Sequence, residues 1–166
     1  SHNISQLASK ESNWVSVCWR RLQKQVNRLC DELNWDPTMR EIISTKPPGT
    51  PQGPYSQGVK VGNLVWTAGM AANDAATGEL LYPDDISKQT TKTLENLQET
   101  LEKAGTSLAN AIKVSAFIHD IDEWPTFNEA YKAFFASDPP ARTTIAVCGL
   151  PKGMCVEIDL VAVVPD

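Results

Sequence analysis

The chain has 166 residues, enough for one domain with a proper core. Hydrophobic residues make up 42% and charged ones 21%, with a formal net charge of -5 and a pI near 5.0, the profile of an ordinary globular protein. That acidic balance argues against a general nucleic-acid surface, which needs concentrated Lys and Arg. No apolar run approaches the roughly 20 residues of a membrane span.

The first fifty residues differ in character from the rest. From Asn13 to Leu33, apolar residues recur at Val15, Cys18, Trp19, Leu22, Val26, Leu29, Cys30 and Leu33, with charged and amide side chains opposite. Steps of three and four predict an amphipathic helix. Its apolar stripe needs a surface to cover it: its own subunit, a neighbouring subunit or another protein. Asn34-Trp35-Asp36-Pro37 ends it, with Asp36 placed as an N-cap and Pro37 at the first position of a short helical turn. The sequence thus divides into a helical extension, residues 1–39, and a domain, residues 40–166.

Glu41-Ile42-Ile43-Ser44-Thr45 reads as a short strand. The Pro/Gly-rich stretch from Lys46 to Pro54 cannot be helix or central strand, so Tyr55 is presented from a stiff loop. Val59-Lys60-Val61 and Leu64-Val65-Trp66-Thr67 flank Gly62-Asn63, a hairpin pattern. Trp66 is assigned to core packing, and Gly69 at the strand end marks a close approach of backbone or ligand.

Asp84 or Asp85 then caps a helix running to about Lys103, with an inward stripe of Ile86, Thr90, Leu94 (or Thr93), Leu97, Leu101 and Ala104 and with Gly105 as its C-terminal stop. Ile112 to His119 alternates as a strand. Asp120 or Asp122 starts a second helix whose core stripe is Phe127, Ala130, Tyr131 and Phe134, with Asn128 beside it. His119 has no sequence neighbour to complete a catalytic dyad and reads as a surface or capped histidine.

Two runs rich in β-branched residues follow, Arg142 to Cys148 and Met154 to Val164, joined by Gly149-Leu150-Pro151-Lys152-Gly153. By pattern this is a β-hairpin. Alternation sends Arg142, Thr144, Ala146 and Cys148 to one face, while Glu157 and Asp159 share a face with Cys155, Val161 and Val163. An Arg strand beside a strand with two carboxylates leaves two readings: a structural ion pair, or a site where the charges are used. The order β-β-β-α-β-α-β-β predicts an α+β mixed sheet with both helices on one face, and an oligomer if the other face is apolar.

Cysteines 18, 30, 148 and 155 form no CxxC pair, and His2 and His119 stand at no metal-ligand spacing, so no metal site is expected. A Cys148–Cys155 disulfide across the turn is geometrically conceivable, but buried free thiols are the expected state. No P-loop or dinucleotide fingerprint occurs, and no cofactor is expected. No signal-peptide pattern opens the chain. The expected location is the cytoplasm, with mitochondria as the alternative.

Gly53-Pro54-Tyr55-Ser56-Gln57, Phe127-Asn128-Glu129-Ala130-Tyr131-Lys132-Ala133-Phe134-Phe135, Pro139-Pro140-Ala141-Arg142-Thr143-Thr144 and Leu150-Pro151-Lys152-Gly153 with Val156-Glu157-Ile158-Asp159 resemble, in order and spacing, the RidA/YjgF (L-PSP) family of enamine/imine deaminases. The resemblance runs over roughly three quarters of the chain and leaves the N-terminal helix outside it. It implies a chorismate-mutase-like fold, a homotrimer with clefts between subunits, and hydrolysis of reactive 2-imino or 2-enamino acids to 2-keto acids and ammonia. It implies Arg142 as the carboxylate-binding residue and Glu157 as the acid that orients or activates water. Tyr55, Gly69, Asn128 and Thr144 are implied as the substrate-binding residues around them. Thr144 stands where many members carry Cys, and Ala68 where many carry Ser. Those departures motivate an alternative: a module that binds small carboxylates without turnover, by itself or as part of a larger fusion protein. Ribonuclease activity, also attached to the family, fits the acidic charge least.

Overall fold

The structure, a computed structural model, describes residues 40–45, 53–135 and 137–165, with Arg21, Leu22, Lys24, Gln25 and Arg28 from the segment before them. Those five positions are helical. The remainder of the expected N-terminal helix and the turn at Asp36-Pro37 lie outside the described residues. The chain separates into two compact units, Ser1–Met39 and Arg40–Asp166.

The second unit is an α+β layer of one six-stranded sheet and two helices. In chain order its elements are β1 (Arg40–Ile43), β2 (Gly58–Val61), β3 (Leu64–Thr67), α1 (Ile86–Lys103), β4 (Ala111–Ile118), α2 (Trp124–Lys132), β5 (Ala141–Ala146) and β6 (Val156–Val163). The sheet order is β1-β2-β3-β6-β4-β5. All neighbours are antiparallel except β4 and β5, which are parallel.

Helix α1 forms where the sequence places it. The Asp85 side chain accepts the Lys88 N–H at 3.0 Å, and Gly105, at φ +86°, takes the left-handed turn just past the Ala104 cap. Ile86, Thr90, Thr93, Leu94, Leu97, Leu101 and Ala104 are buried as expected. Each Leu so buried contributes on the order of 2 kcal/mol relative to exposure. Gln89 is also buried on this face, and its amide is used at both ends: it accepts the Cys155 N–H at 2.8 Å and donates to the Tyr82 carbonyl at 3.0 Å. The second helix is preceded by a short 3-10 turn at Ile121–Glu123, capped by Asp120, and buries Phe127 and Tyr131.

Both helices cover one face of the sheet. Val156, Ile158, Leu160 and Ala162 of β6 and Val114, Ala116 and Ile118 of β4 join the helix stripes in a single core. Alternation sends Glu157, Asp159, Val161 and Val163 to the other face, opposite Phe117 and Ser115. There Ile42, Val59, Trp66 and Val161 pair in one row across four strands. Trp66 is 43% exposed, Ile42 51% and Ile145 47%. Assigning Trp66 to the core is therefore wrong: β3 turns Val65 inward, and its neighbour faces out.

Two further expectations fail here. The last two strands are not a hairpin, because β4 lies between β5 and β6 and the connection through the 3-10 turn at Pro151–Gly153 crosses over it. A short Gly/Pro linker is compatible with either arrangement. The apolar β4 is the better partner for both strands, since only a central position buries its helix-side residues fully. Cys155 belongs to the buried core rather than to the face of Glu157 and Asp159, while Cys148 is an exposed free thiol.

Candidate functional site

Arg142 pairs in register with Val114, a core residue, so its side chain leaves the sheet on the helix side of the edge strand β5. Helix α2 meets it there. Trp124, Phe127, Asn128 and Tyr131 stand at spacings of three and four, so one face of α2 presents all four. The guanidinium carbon lies 4.4 Å from the Tyr131 ring centre, 5.5 Å from that of Phe127 and 6.0 Å from that of Trp124. One terminal nitrogen donates to Asn128 Oδ1 at 2.8 Å. The cation is thus held by π faces and a neutral amide. Among the described residues no carboxylate lies within ion-pair distance of it, and the structural ion pair with β6 does not form.

This cation opens onto a groove of about 770 Å³ lined by Asn128, Tyr131, Lys132, Phe135, Pro139 and Pro140 among others. Two hydroxyls nearby are buried without a hydrogen-bond partner, Tyr131 Oη and Thr144 Oγ1. Burial pushes the Tyr131 phenol up to about 12, against the opposing pull of the Arg142 charge. Tyr131 is therefore a neutral donor at any physiological pH. What the guanidinium side offers is a set of unused donors around a fixed positive charge, the chemistry of a carboxylate or similar planar anion.

Glu157 lies elsewhere. It pairs with Phe117 on β4, two strands from β5 and three residues further along than Val114, the partner of Arg142. Strand spacings of about 4.8 Å and rises of about 3.3 Å put the two Cα atoms on the order of 14 Å apart, with side chains on opposite faces.

A β-bulge positions Glu157. Trp66 pairs with Val161 and Met70 with Ile158, so four steps on the one strand face three on the other. Thr67 Oγ1 fills the irregularity by accepting the Leu160 N–H at 3.0 Å. Mutual Met70 and Ile158 backbone hydrogen bonds at 2.9 Å then resume the ladder. The displaced residues are Ala68 and Gly69, and the Glu157 carboxylate sits directly over Gly69. The Ala68 N–H donates to the Gln57 carbonyl at 2.8 Å, which fixes the loop carrying Tyr55 beside the bulge. The Gln57 side chain accepts the Thr45 N–H at 2.8 Å and holds the same loop to the end of β1. Tyr55 itself is 54% exposed. Burial first, and the neighbouring Asp159 charge second, raise the Glu157 carboxyl above its ordinary value.

The six residues expected to form one site therefore fall into two groups: Arg142, Asn128 and Thr144 around the end of α2, and Tyr55, Gly69 and Glu157 around the bulge. Comparison with known proteins identifies the lineage. The family described as endoribonuclease L-PSP matches residues 45–164. A RutC family protein of Pyrococcus horikoshii is 40% identical over 124 residues, 75% of this chain and 98% of that one. The 2-iminobutanoate/2-iminopropanoate deaminase of Bos taurus is 38% identical over 125 residues, 75% of this chain and 90% of its own length. The chain belongs to the RidA/YjgF family. Among solved structures, E. coli TdcF with bound serine superimposes with a TM-score of 0.68 at 38% identity, covering 74% of this chain and 98% of that one.

Within a RidA/YjgF fold, the sequence motifs locate the guanidinium and the carboxylate but not what holds them. The aromatic wrap on Arg142 went unrecognised because Phe127 and Tyr131 read as core stripe. Its signal was available in the 124/127/128/131 spacing, which puts a polar Asn in the middle of an otherwise aromatic face. His119, half-exposed, has Nδ1 3.3 Å from Glu123 Oε2 and plays no part in either group. Among the described residues, no cluster of His, Cys, Asp and Glu suits a metal ion, and no helix is long and apolar enough to cross a membrane.

Proposed function

We propose that the protein hydrolyses small 2-imino and 2-enamino acids to 2-keto acids and ammonia, at clefts where two copies of the chain meet in a homotrimer. The observation that carries this reading is the state of Arg142: a cation fixed by three aromatic rings and an amide, facing a groove, with its charge uncompensated among the described residues. Such a group binds a small anion. That a relative of the same fold was solved with bound serine, a molecule with an α-carboxylate, supports the choice of anion.

Arg142 would grip the substrate carboxylate, with Asn128 and Thr144 alongside. Glu157 from the neighbouring copy, as carboxylate, would take a proton from water while the water oxygen bonds to the imine carbon and the C=N electron pair takes up a proton. The resulting carbinolamine then loses ammonia as its hydroxyl becomes the keto oxygen. A raised carboxyl is a stronger base than an ordinary one, which suits the role. Because imines already hydrolyse in water, positioning and one base supply a useful acceleration without any redox or metal step. The row of Ile42, Val59, Trp66 and Val161, in which Ile42 and Trp66 are exposed and the two valines half-buried, supports burial of this sheet face against another copy.

Arg142→Ala is the test. The expected result is loss of 2-keto acid release from 2-iminobutanoate generated in situ, by about 1,000-fold, as for removal of a fixed charge-stabilising group. Full activity in that variant would end the reading. Binding of 2-ketobutyrate by the unaltered protein without any turnover would instead favour a carboxylate-binding module.

A further inference from the structure

We infer that Gly69 is the positioning residue for Glu157, and that it works by having no side chain; this rests on the reading of Glu157 as the base. A Cβ built on Gly69 would lie 2.1 Å from Glu157 Oε1, 2.8 Å from Cδ and 3.1 Å from Cγ. The carboxylate and the end of its stem therefore occupy the volume that any other residue would fill. Backbone conformation does not explain the glycine. Its φ is outside the left-handed region, unlike those of Gly62, Gly78, Gly105 and Gly153, so an L-residue fits the chain path without strain. The three atoms that such a Cβ would meet most closely all belong to the Glu157 side chain.

The identity of the clashing atoms decides the consequence. They belong to the far end of a flexible side chain, which rotates away at little cost, whereas a clash with backbone would move the sheet. A methyl group at 69 thus leaves the fold in place and moves the base. The bulge makes the arrangement possible: the extra residue between Trp66 and Met70 turns the chain so that position 69 lies under the Glu157 carboxylate instead of in regular pairing. The seat also contributes to the raised carboxyl, since a Glu157 displaced toward water loses burial, the leading cause of that rise.

The experiment is Gly69→Ala alone and in a Glu157→Gln background, with a readout independent of turnover. Expected are an unfolding midpoint no lower than that of the unaltered protein and a loss of about 100-fold in keto acid release, the scale of a general base removed from its position. Glu157→Gln should lose a similar factor, and the double variant no more than either single one, as for two residues that act as a unit. Followed by carbon-13 NMR, the Glu157 carboxyl in Gly69→Ala should titrate lower, toward its ordinary value. Losses that multiply in the double variant would overturn the inference, giving Gly69 a direct role of its own against the ligand. So would a Glu157 titration unmoved by Gly69→Ala. If Glu157→Gln retained full activity while Gly69→Ala still lowered the carboxyl titration, the seat would stand and the assignment of Glu157 as base would fail.

Discussion

The two halves of the site are built on opposite principles. Around Arg142 the fold adds material: three rings and an amide restrain one guanidinium. Around Glu157 it removes material, since a bulge and a missing Cβ leave a space that one carboxylate fills. On the proposed function, the charge that would grip the substrate is wrapped, whereas the carboxylate that would serve as base is seated without a polar partner among the described residues. The contrast teaches that conservative substitutions are dangerous in different places: at the amide in the first half, at the glycine in the second.

The sharpest break of this comparison is to separate the halves physically. If each cleft takes Arg142 from one copy and Glu157 from another, the two single variants Arg142→Ala and Glu157→Gln, each strongly impaired, should complement when unfolded together and refolded as a mixture. Random assembly at equal amounts restores about a quarter of the sites. A site contained in one copy restores none. Activity of the mixture relative to the separate variants reads this directly, and absence of recovery with intact oligomers by ultracentrifugation would refute the shared cleft.

Much of this could be read in the sequence, and the failures have physical causes. The stripe of α1 and its caps were legible because local rules set them: Asp85 and Gly105 act within a turn of the helix they bound. The hairpin assigned to β5 and β6 failed because strand pairing is non-local, and two strands separated by a turn signal look the same whether or not a third comes between them. Alternation still told which residues share a face within each strand. It could not tell that the Arg142 face of β5 and the Glu157 face of β6 are opposite, which required the register through β4. Trp66 misled because a large aromatic in a strand next to a core Val fits either face by composition alone.

A smaller effect probes the wrap. Asn128 Oδ1 accepts from Arg142 without adding charge. Asn128→Asp keeps the shape and the acceptor but supplies a carboxylate at 2.8 Å, so the guanidinium is neutralised by an internal partner before any ligand arrives. Calorimetry with 2-ketobutyrate should show affinity reduced by about 100-fold in Asn128→Asp, on the scale of a close charge pair. In Asn128→Ala, where only one neutral hydrogen bond is lost, the reduction should be about tenfold or less. Equal losses in the two variants would mean that Asn128 contacts the ligand rather than keeping Arg142 free.

The smallest expected effect concerns the seat, and its sign follows from the two causes of the Glu157 shift. Burial and Asp159 both disfavour the ionised carboxyl, so its titration lies above the ordinary value of 4.5 in the folded protein. A base must be ionised, so activity should fall as pH drops through that raised value. Asp159→Asn removes the lesser cause and leaves burial untouched. The acid limb of the pH profile should therefore move to lower pH, with the neutral-pH rate little changed. Stability runs the other way: a raised folded value means that the folded chain holds this proton more tightly than the unfolded one. The contribution is complete below about 4.5 and lost as pH rises through the folded value. Urea denaturation of Glu157→Gln should accordingly show a gain over the unaltered protein at pH 7 that shrinks toward pH 4. A gain that grows on acidification would mean that Glu157 is held as a paired carboxylate, and that seat would have to be abandoned for a second clamp like the one around Arg142.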